Sequence, residues 1–267
     1  MKIAILANSY STSIMPTEWG LSIYVEFGDK KILIDAGIGG LFLVNAQQMG
    51  LNLSKLDYII LTHSHYDHTG GLSQFEFGGQ KVFAHKEVFR DRYSLRDGKY
   101  ESSGIQWKRE DLKGEANFIL NEELTQIDKG VYLSGSIPRV YGTPANRFYE
   151  KVGDEFVPDI IEDEQLVVFE LPRNELVVFS GCTHFGVQNM TEFIRDKFPN
   201  KKVKALFAGL HICGLGNEQQ EQVIKYLGTC GLYEKIYSLH CTGEEAGWKI
   251  QKKLKGVLVS VGDVYEI

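Results

Sequence analysis

"LTHSHYDHTGG", residues 61–71, places three histidines and one aspartate within the six positions from His63 to His68. The run before it, "LDYIIL" (56–61), has the length and apolar character of a buried strand. A buried strand that feeds a tight loop delivers neighbouring side chains to one cavity at its C-terminal edge, where the scaffold fixes their geometry. His63 and His65 share strand parity and so reach toward one ion, while Asp67 and His68, further into the turn, reach toward a second. Imidazole together with carboxylate favours zinc, iron or manganese over calcium or magnesium. A lone histidine is usually structural; four ligand-type residues packed this closely behind a strand are read as part of a metal site.

Upstream, "GLSIYVEFGDKKILIDAG" (20–37) holds two β-rich runs around Gly28-Asp29 and predicts a hairpin. "KIAILA" (2–7) predicts a strand, and "GLFLVNAQQMG" (40–50) predicts a helix that stops at a glycine. Downstream, "QKVFAH" (80–85) predicts a strand whose terminal His85 is read as structural, followed by charged, helix-leaning sequence. Residues 86–160 alternate charges, glycines and isolated aromatics without a period, and only "GVYLSGSIP" (130–138) suggests a strand. That stretch is expected to be loops, an elaboration over the active site of one domain spanning 1–267. The pattern then returns. "EQLVVFEL" and "ELVVFSG" predict a hairpin around Pro172-Arg173-Asn174, "MTEFIRDKF" and "NEQQEQVIKYLGTCG" predict helices, and "VKALFAGLH" and "KIYSLH" predict strands that each end in histidine. β-runs followed by strand and helix alternation predict an α/β fold with mixed sheets and outer helices.

At 267 residues the chain can bury a sizeable core without disulfide or metal staples. Its 43% hydrophobic and 24% charged content is ordinary for a soluble globular protein. A formal net charge of -6 supplies no basic field for a nucleic-acid backbone, so a small-molecule substrate is the expected partner and nucleic acid is not. "MKIAILANSY" lacks the apolar core of a signal peptide, and no run approaches the roughly 18 apolar residues of a membrane span. No membrane association and a cytoplasmic location are therefore expected, with all four cysteines reduced. Cys182 lies two residues before His184, Cys213 two after His211, and Cys241 directly after His240. Cys213 and Cys241 are read as small buried hydrophobes.

"THSHYDHTGG" resembles the HxHxDH signature of the metallo-β-lactamase superfamily. The resemblance implies an αββα sandwich, two mixed β-sheets with helices on the outer faces, holding one or two divalent metal ions, zinc first with iron or manganese as alternatives. It implies His63 and His65 as ligands of the first ion, and Asp67 and His68 as ligands of the second. The 20–37 segment resembles the family's opening hairpin, whose second strand ends in an aspartate-containing turn, here Asp35. "LVVFSGCTH" (176–184) occupies the family's later acid-bearing turn, with Cys182 where an aspartate commonly sits. The chain departs from the pattern before that turn, because no histidine stands between His85 and His184. The economical reading is that His184 completes the first site, with Cys182 as an additional candidate ligand. His240 resembles the family's last ligand histidine. His211 is left as a substrate-binding or proton-transfer residue, or a ligand in place of His240.

"EWGLS", "GSIPR", "GCTHFG", "AGLHI" and "HCTG" together resemble one branch of the superfamily, through nearly the whole chain and least over 86–130. The branch includes proteins named as 7,8-dihydropterin-6-yl-methyl-4-(β-D-ribofuranosyl)aminobenzene-5'-phosphate synthases. The expected activity is a metal-dependent hydrolase of a small phosphorylated or ester substrate, in which Asp67 orients the attacking water or takes its proton. The alternative is a pterin-linked transferase that releases pyrophosphate from the same site. Arg139, in "GSIPR", is a candidate partner for a phosphate. Thr242-Gly243 is a candidate pair of backbone donors to an anion, and Tyr141, Phe148 and Tyr149 are candidates for an aromatic cap. A di-iron redox reading calls for a carboxylate where His65 stands and a fused flavin domain, and the chain has neither.

Overall fold

A computed structural model describes residues 1–143 and 147–267. They fold as two compact units, one of residues 1–121, 147–163 and 260–267 and one of residues 122–143 and 164–259. The chain is α/β, with a seven-stranded mixed sheet in each unit.

In the first unit the strands run in the order Val264–Glu266, Lys2–Ala7, Ser22–Phe27, Lys30–Ile34, Tyr58–Ile60, Glu76–His85, Lys113–Asn121. The expected hairpin is present, with Phe27 paired to Lys30 across Gly28-Asp29. From Lys30–Ile34 onward the strands are parallel, in register Leu33↔Ile59 and Ile59↔Val82. Parallel strands are covered on both faces and read as unbroken apolar runs, which is why "YII" at 58–60 is buried throughout. Leu6, Leu33, Ile59, Leu61 and Val82 share one core with Phe42 and Ala46 from the Leu41–Gln48 helix. This core backs the strand that carries the histidine loop.

The 86–160 stretch differs from its expected loops. Arg92–Arg96, Lys99–Ser102, Phe148–Val152 and Glu155–Pro158 form a four-stranded antiparallel sheet. Lys113–Asn121 pairs in parallel with Glu76–His85, from Glu76↔Lys113 to His85↔Asn121, and Thr125–Asp128 and Val131–Leu133 join the sheet of the second unit. The helix-leaning segment after His85 is a single 3-10 turn, Lys86–Phe89. No hydrophobic period marks two of these strands because they bury so little: Lys99–Ser102 is exposed throughout and Lys113–Asn121 has no buried residue. Backbone pairing leaves no trace in composition, and the ring contacts of Tyr93, Tyr100 and Phe156 join residues far apart in sequence.

In the second unit the order is Val257–Leu258, Ile236–Ser238, Lys202–Ala208, Glu175–Ser180, Leu166–Leu171, Val131–Leu133, Thr125–Asp128. The hairpin at Pro172–Asn174 turns through Arg173 and Asn174, both left-handed at φ 65° and 60°. Helices Val187–Lys197, Asn217–Thr229 and Glu244–Leu254 supply Met190, Ile194, Ile224, Leu227 and Ile250 to a core with Val178 and Leu206. Glu175–Ser180, Lys202–Ala208 and Ile236–Ser238 are parallel neighbours, so the turns after them emerge at one sheet edge, the usual place for a site in such folds. Among the described residues, no helix is long and apolar enough to cross a membrane.

Candidate metal centre

In the first unit the Tyr58–Ile60 strand runs into Thr62, His63 and Ser64, and the chain then makes one helical turn, Tyr66–Thr69. His65 caps that turn through its carbonyl, which accepts from His68 N and Thr69 N at 3.0 and 3.1 Å. The "TGG" that closes the motif is a packing requirement. A Cβ on Gly71 would lie 2.0 Å from Ala36 O and 2.5 Å from Gly39 O, so the backbone passes where no side chain fits.

His63, His65 and His68 converge and are buried. His63 Nε2 stands 3.0 Å from His65 Nδ1, and the rings of His63 and His68 are 4.1 Å apart. Their outer nitrogens are held from behind. His63 Nδ1 lies 3.0 Å from Thr62 Oγ1, and His68 Nδ1 lies 2.6 Å from Asp35 Oδ2. Asp35 also accepts from Thr62 N and Thr62 Oγ1, at 2.8 and 2.7 Å. Fixing one ring nitrogen by a carboxylate or hydroxyl aims the other as a lone pair, the arrangement found behind metal-bound histidines. Two imidazole nitrogens 3.0 Å apart repel unless a proton or a cation lies between them, so this donor set fits a divalent ion. Asp67 is buried on the same turn. Phe148 packs its ring 4.4 Å from that of His65.

A buried ion cluster clamps the loop. Arg92, 0% exposed, donates from Nε to Ser64 Oγ at 2.7 Å and pairs with Asp159 and with Asp163, the latter at 2.6 Å. Asp163 Oδ2 in turn accepts from Ser64 N at 2.7 Å. Burial pushes the Asp163 carboxyl up, against the pull of Arg92 and Ser64. Arg92 and Asp163 are absent from the residues singled out by sequence. One lies in the illegible stretch, and both act on Ser64 from far along the chain.

In the second unit the turn after Glu175–Ser180 carries Cys182 and His184, and both backbone N–H groups donate to the buried Glu164 carboxylate. Burial raises the Glu164 carboxyl to about 7, although those two N–H groups and the charge of Arg139 pull it back. His184 and His211 have ring centroids 4.4 Å apart, and Cys182 Sγ lies 3.4 Å from His240 Nε2. Lys202–Ala208 stops short of His211, which sits in a left-handed turn at φ 49°. Cys182, His211 and Cys241 bring their donor atoms within 4.8 Å of one another. Burial pushes the Cys241 thiol up, but hydrogen bonds with Cys182 and His211 and the His211 charge outweigh it and hold the thiol below its ordinary range. No disulfide joins the four cysteines.

Arg139 donates to Ile137 O and lies over the Phe185 ring, 5.7 Å from its centroid. The Thr242 and Gly243 N–H groups donate to Leu239 O and His240 O, so the expected backbone donors to an anion are already engaged within the chain. His85 accepts from Glu87 N at 3.2 Å and caps the next turn. Tyr141 is exposed, and Tyr149 packs edge-on to Tyr100 with centroids 5.0 Å apart. A cavity of about 310 Å³ in the second unit is lined by Thr143, Gln188, Leu210, Gln219, Gln222 and Tyr226, among others, and flanks the turns of His184 and His211.

The model of the metallo-beta-lactamase superfamily matches residues 20–186. Over 92% of this chain and 89% of the relative's, the sequence is 29% identical to the 7,8-dihydropterin-6-methyl-4-(beta-D-ribofuranosyl)-aminobenzene-5'-phosphate synthase of Methanocaldococcus jannaschii. It is 27% identical to an uncharacterized protein of the same organism, over 99% of this chain and all of that one. A crystal structure described as Tm1679, a metal-dependent hydrolase of the beta-lactamase superfamily, is 30% identical and superposes with a TM-score of 0.84, covering 100% of this chain and 99% of that one.

Proposed function

The chain belongs to the metallo-β-lactamase superfamily, and on that premise we propose that it is a metal-dependent hydrolase of a small phosphorylated or ester substrate. One observation carries the reading: buried His63, His65 and His68 have converging rings, with the outer nitrogens of His63 and His68 fixed by Thr62 and Asp35. We assign His63, His65 and His184 to one divalent ion and Asp67, His68 and His240 to a second, with Cys182 as an additional donor. Zinc is the first choice, iron or manganese the alternatives. Such ions, when bound, lower the pKa of water to about 7 and neutralise charge on a leaving oxygen.

The chain's own groups do the rest. Asp67 orients the attacking water or accepts its proton. His211 returns a proton to the departing oxygen, a role supported by the packing of its ring against that of His184. Glu164 fixes the Cys182–His184 turn through its two N–H groups. The glutamine-lined cavity offers amide donors and acceptors to the uncharged part of a small substrate. The 29% identical synthase supports a second reading, a pterin-linked transferase that releases pyrophosphate.

Metal analysis of protein purified without added metal tests the site. At least one equivalent of a transition metal is expected, and both His63→Ala and Asp67→Ala should lower metal content and abolish turnover. Wild-type metal content and activity in either variant refutes the assignment. Phosphodiesters assayed beside a dihydropterin diphosphate separate the two reactions. Phosphodiester hydrolysis favours the hydrolase, and pyrophosphate release that depends on an arylamine acceptor favours the transferase.

A further inference from the structure

The strand Arg92–Arg96 turns alternate side chains to opposite faces, so Arg92, Ser94 and Arg96 form one row. The inner end of that row belongs to the histidine loop: Arg92 donates to Ser64 Oγ, and Phe148, paired with Ser94, packs on the His65 ring. Arg96 is the outer end, and its Nη2 donates at 3.3 Å to Oη of Tyr66, the residue before Asp67. We propose that Arg96 is an anion subsite at the edge of the histidine loop, which takes the phosphate of a phosphorylated substrate. The inference rests on the phosphorylated-substrate reading above and names the residue that recognises the phosphate. It is distinct from Arg139, whose guanidinium donates to Ile137 O.

A guanidinium offers five N–H donors in a fixed fork, yet among the described residues Tyr66 Oη is the one hydrogen-bond acceptor that Arg96 reaches. Its Nε is buried without an acceptor, although the side chain as a whole is 41% exposed. Buried donors are normally satisfied, and paired phosphate oxygens are the ligand such a fork fits. Arg96 also stands directly across the strand ladder from the exposed Lys99. Like charges directly opposite destabilise a sheet, and an anion between them removes that cost. The neighbouring acid is Glu101, 55% exposed, whose Oε2 lies 4.0 Å from Arg96 Nη1; an ion pair so long and so exposed contributes little. The Tyr66 contact chiefly, then the charges of Glu101 and Asp67, push the Arg96 guanidinium above its ordinary pKa against the effect of burial. The hairpin that carries Arg96 is tied to the metal turn. Tyr66 N donates to Ser103 O at 3.0 Å, and Ser103 N to Arg92 O at 2.8 Å. At its tip Asp97 and Gly98, with left-handed φ of 48° and 77°, make the two-residue turn that sets Arg96 against Lys99.

Inorganic phosphate titrated calorimetrically into the full chain, as purified with its metal, tests the subsite. Arg96→Gln should weaken phosphate binding about 10- to 100-fold at unchanged metal content, the worth of hydrogen bonds to a charged group. Arg96→Lys should lose less, because it keeps the charge and gives up only the fork. With 4-nitrophenyl phosphate as substrate, Arg96→Gln should raise KM, whereas KM for the uncharged 4-nitrophenyl acetate should not change. No phosphate binding by the wild-type chain, or wild-type phosphate affinity in Arg96→Gln, overturns the proposal. If Arg96→Gln does not fold, Lys99→Glu at its exposed position decides: a loss of about 2- to 5-fold is expected, and an unchanged affinity overturns the subsite. The titration needs no turnover. A chain that binds phosphate through Arg96 but hydrolyses neither ester would refute the hydrolase reading and leave the subsite standing, so the two failures are distinguishable.

Discussion

Asp35→Asn tests how the histidine loop is set for metal. Asp35 adopts a left-handed backbone at φ 55°, which asparagine tolerates, so the substitution changes chemistry with little change of shape. One carboxylate oxygen of Asp35 accepts from Thr62 N, and the other accepts from Thr62 Oγ1 and faces His68 Nδ1 at 2.6 Å. An amide keeps only one acceptor. Its oxygen must face the Thr62 N–H, which cannot accept, so its NH2 turns toward His68. His68 Nδ1 then accepts instead of donating, the ring proton moves to Nε2, and the nitrogen meant for the ion becomes a donor. Loss of such an outer partner typically costs 10- to 100-fold in metal affinity, about 1.4–2.7 kcal/mol. Competition with a chromophoric chelator measures that loss, and nitrogen-15 shifts of the histidine rings in metal-free protein report the tautomer directly. Unchanged affinity together with an Nδ1–H tautomer at His68 in the variant would refute the reasoning.

The Arg92 cluster makes a sharper demand on stability. Arg92→Met leaves the buried Asp159 and Asp163 without their cation and should destabilise by about 3–5 kcal/mol, whereas adding Asp159→Asn and Asp163→Asn should recover most of it. Denaturant melts check this, and a triple variant no more stable than Arg92→Met would sink it. Glu164 gives a pH dependence in the metal-free protein. Its folded carboxyl is raised from 4.5 to about 7, so the neutral form favours folding; the stability is fully present below pH 4.5 and lost as pH rises through 7, a change of about 3 kcal/mol. Glu164→Gln should flatten that profile in melts between pH 4 and 8, and an unflattened profile counts against it. Gly71→Ala must displace Ala36 O or Gly39 O, so it should lower both melting temperature and metal content. Wild-type values for both would contradict the packing described.

Much of the fold was legible because buried parallel strands write themselves as apolar runs. "LDYIIL" and "VKALFAGLH" predicted strands at the observed places, although the second stops at Ala208. Much of 86–160 was opaque because strands such as Lys113–Asn121 bury nothing and are paired by backbone, here to Glu76–His85. At the candidate site the histidines were evident from their spacing, whereas Asp35 was named only through the resemblance of its hairpin. Arg92, Asp163 and Glu164 were not, since a buried charge announces itself only through partners distant in sequence. An acidic pair at 163–164 looks like a solvated turn until both side chains are found buried. Cys241 illustrates the converse: a buried cysteine reads as packing until a second sulfur and an imidazole are seen beside it.

The pairing of Lys2–Ala7 with Val264–Glu266, in register Lys2↔Glu266, has a consequence for synthesis. During translation Lys2–Ala7 waits, with one edge unpaired, for a neighbour made after some 250 intervening residues. Segment 147–163, which brings Asp159 and Asp163 to Arg92, is also made well after the histidine loop. The loop therefore leaves the ribosome before Asp159 and Asp163, the acidic part of its clamp, exist. Metal capture by the nascent chain should be weak until those later segments arrive, which would favour loading of the finished protein over loading during elongation.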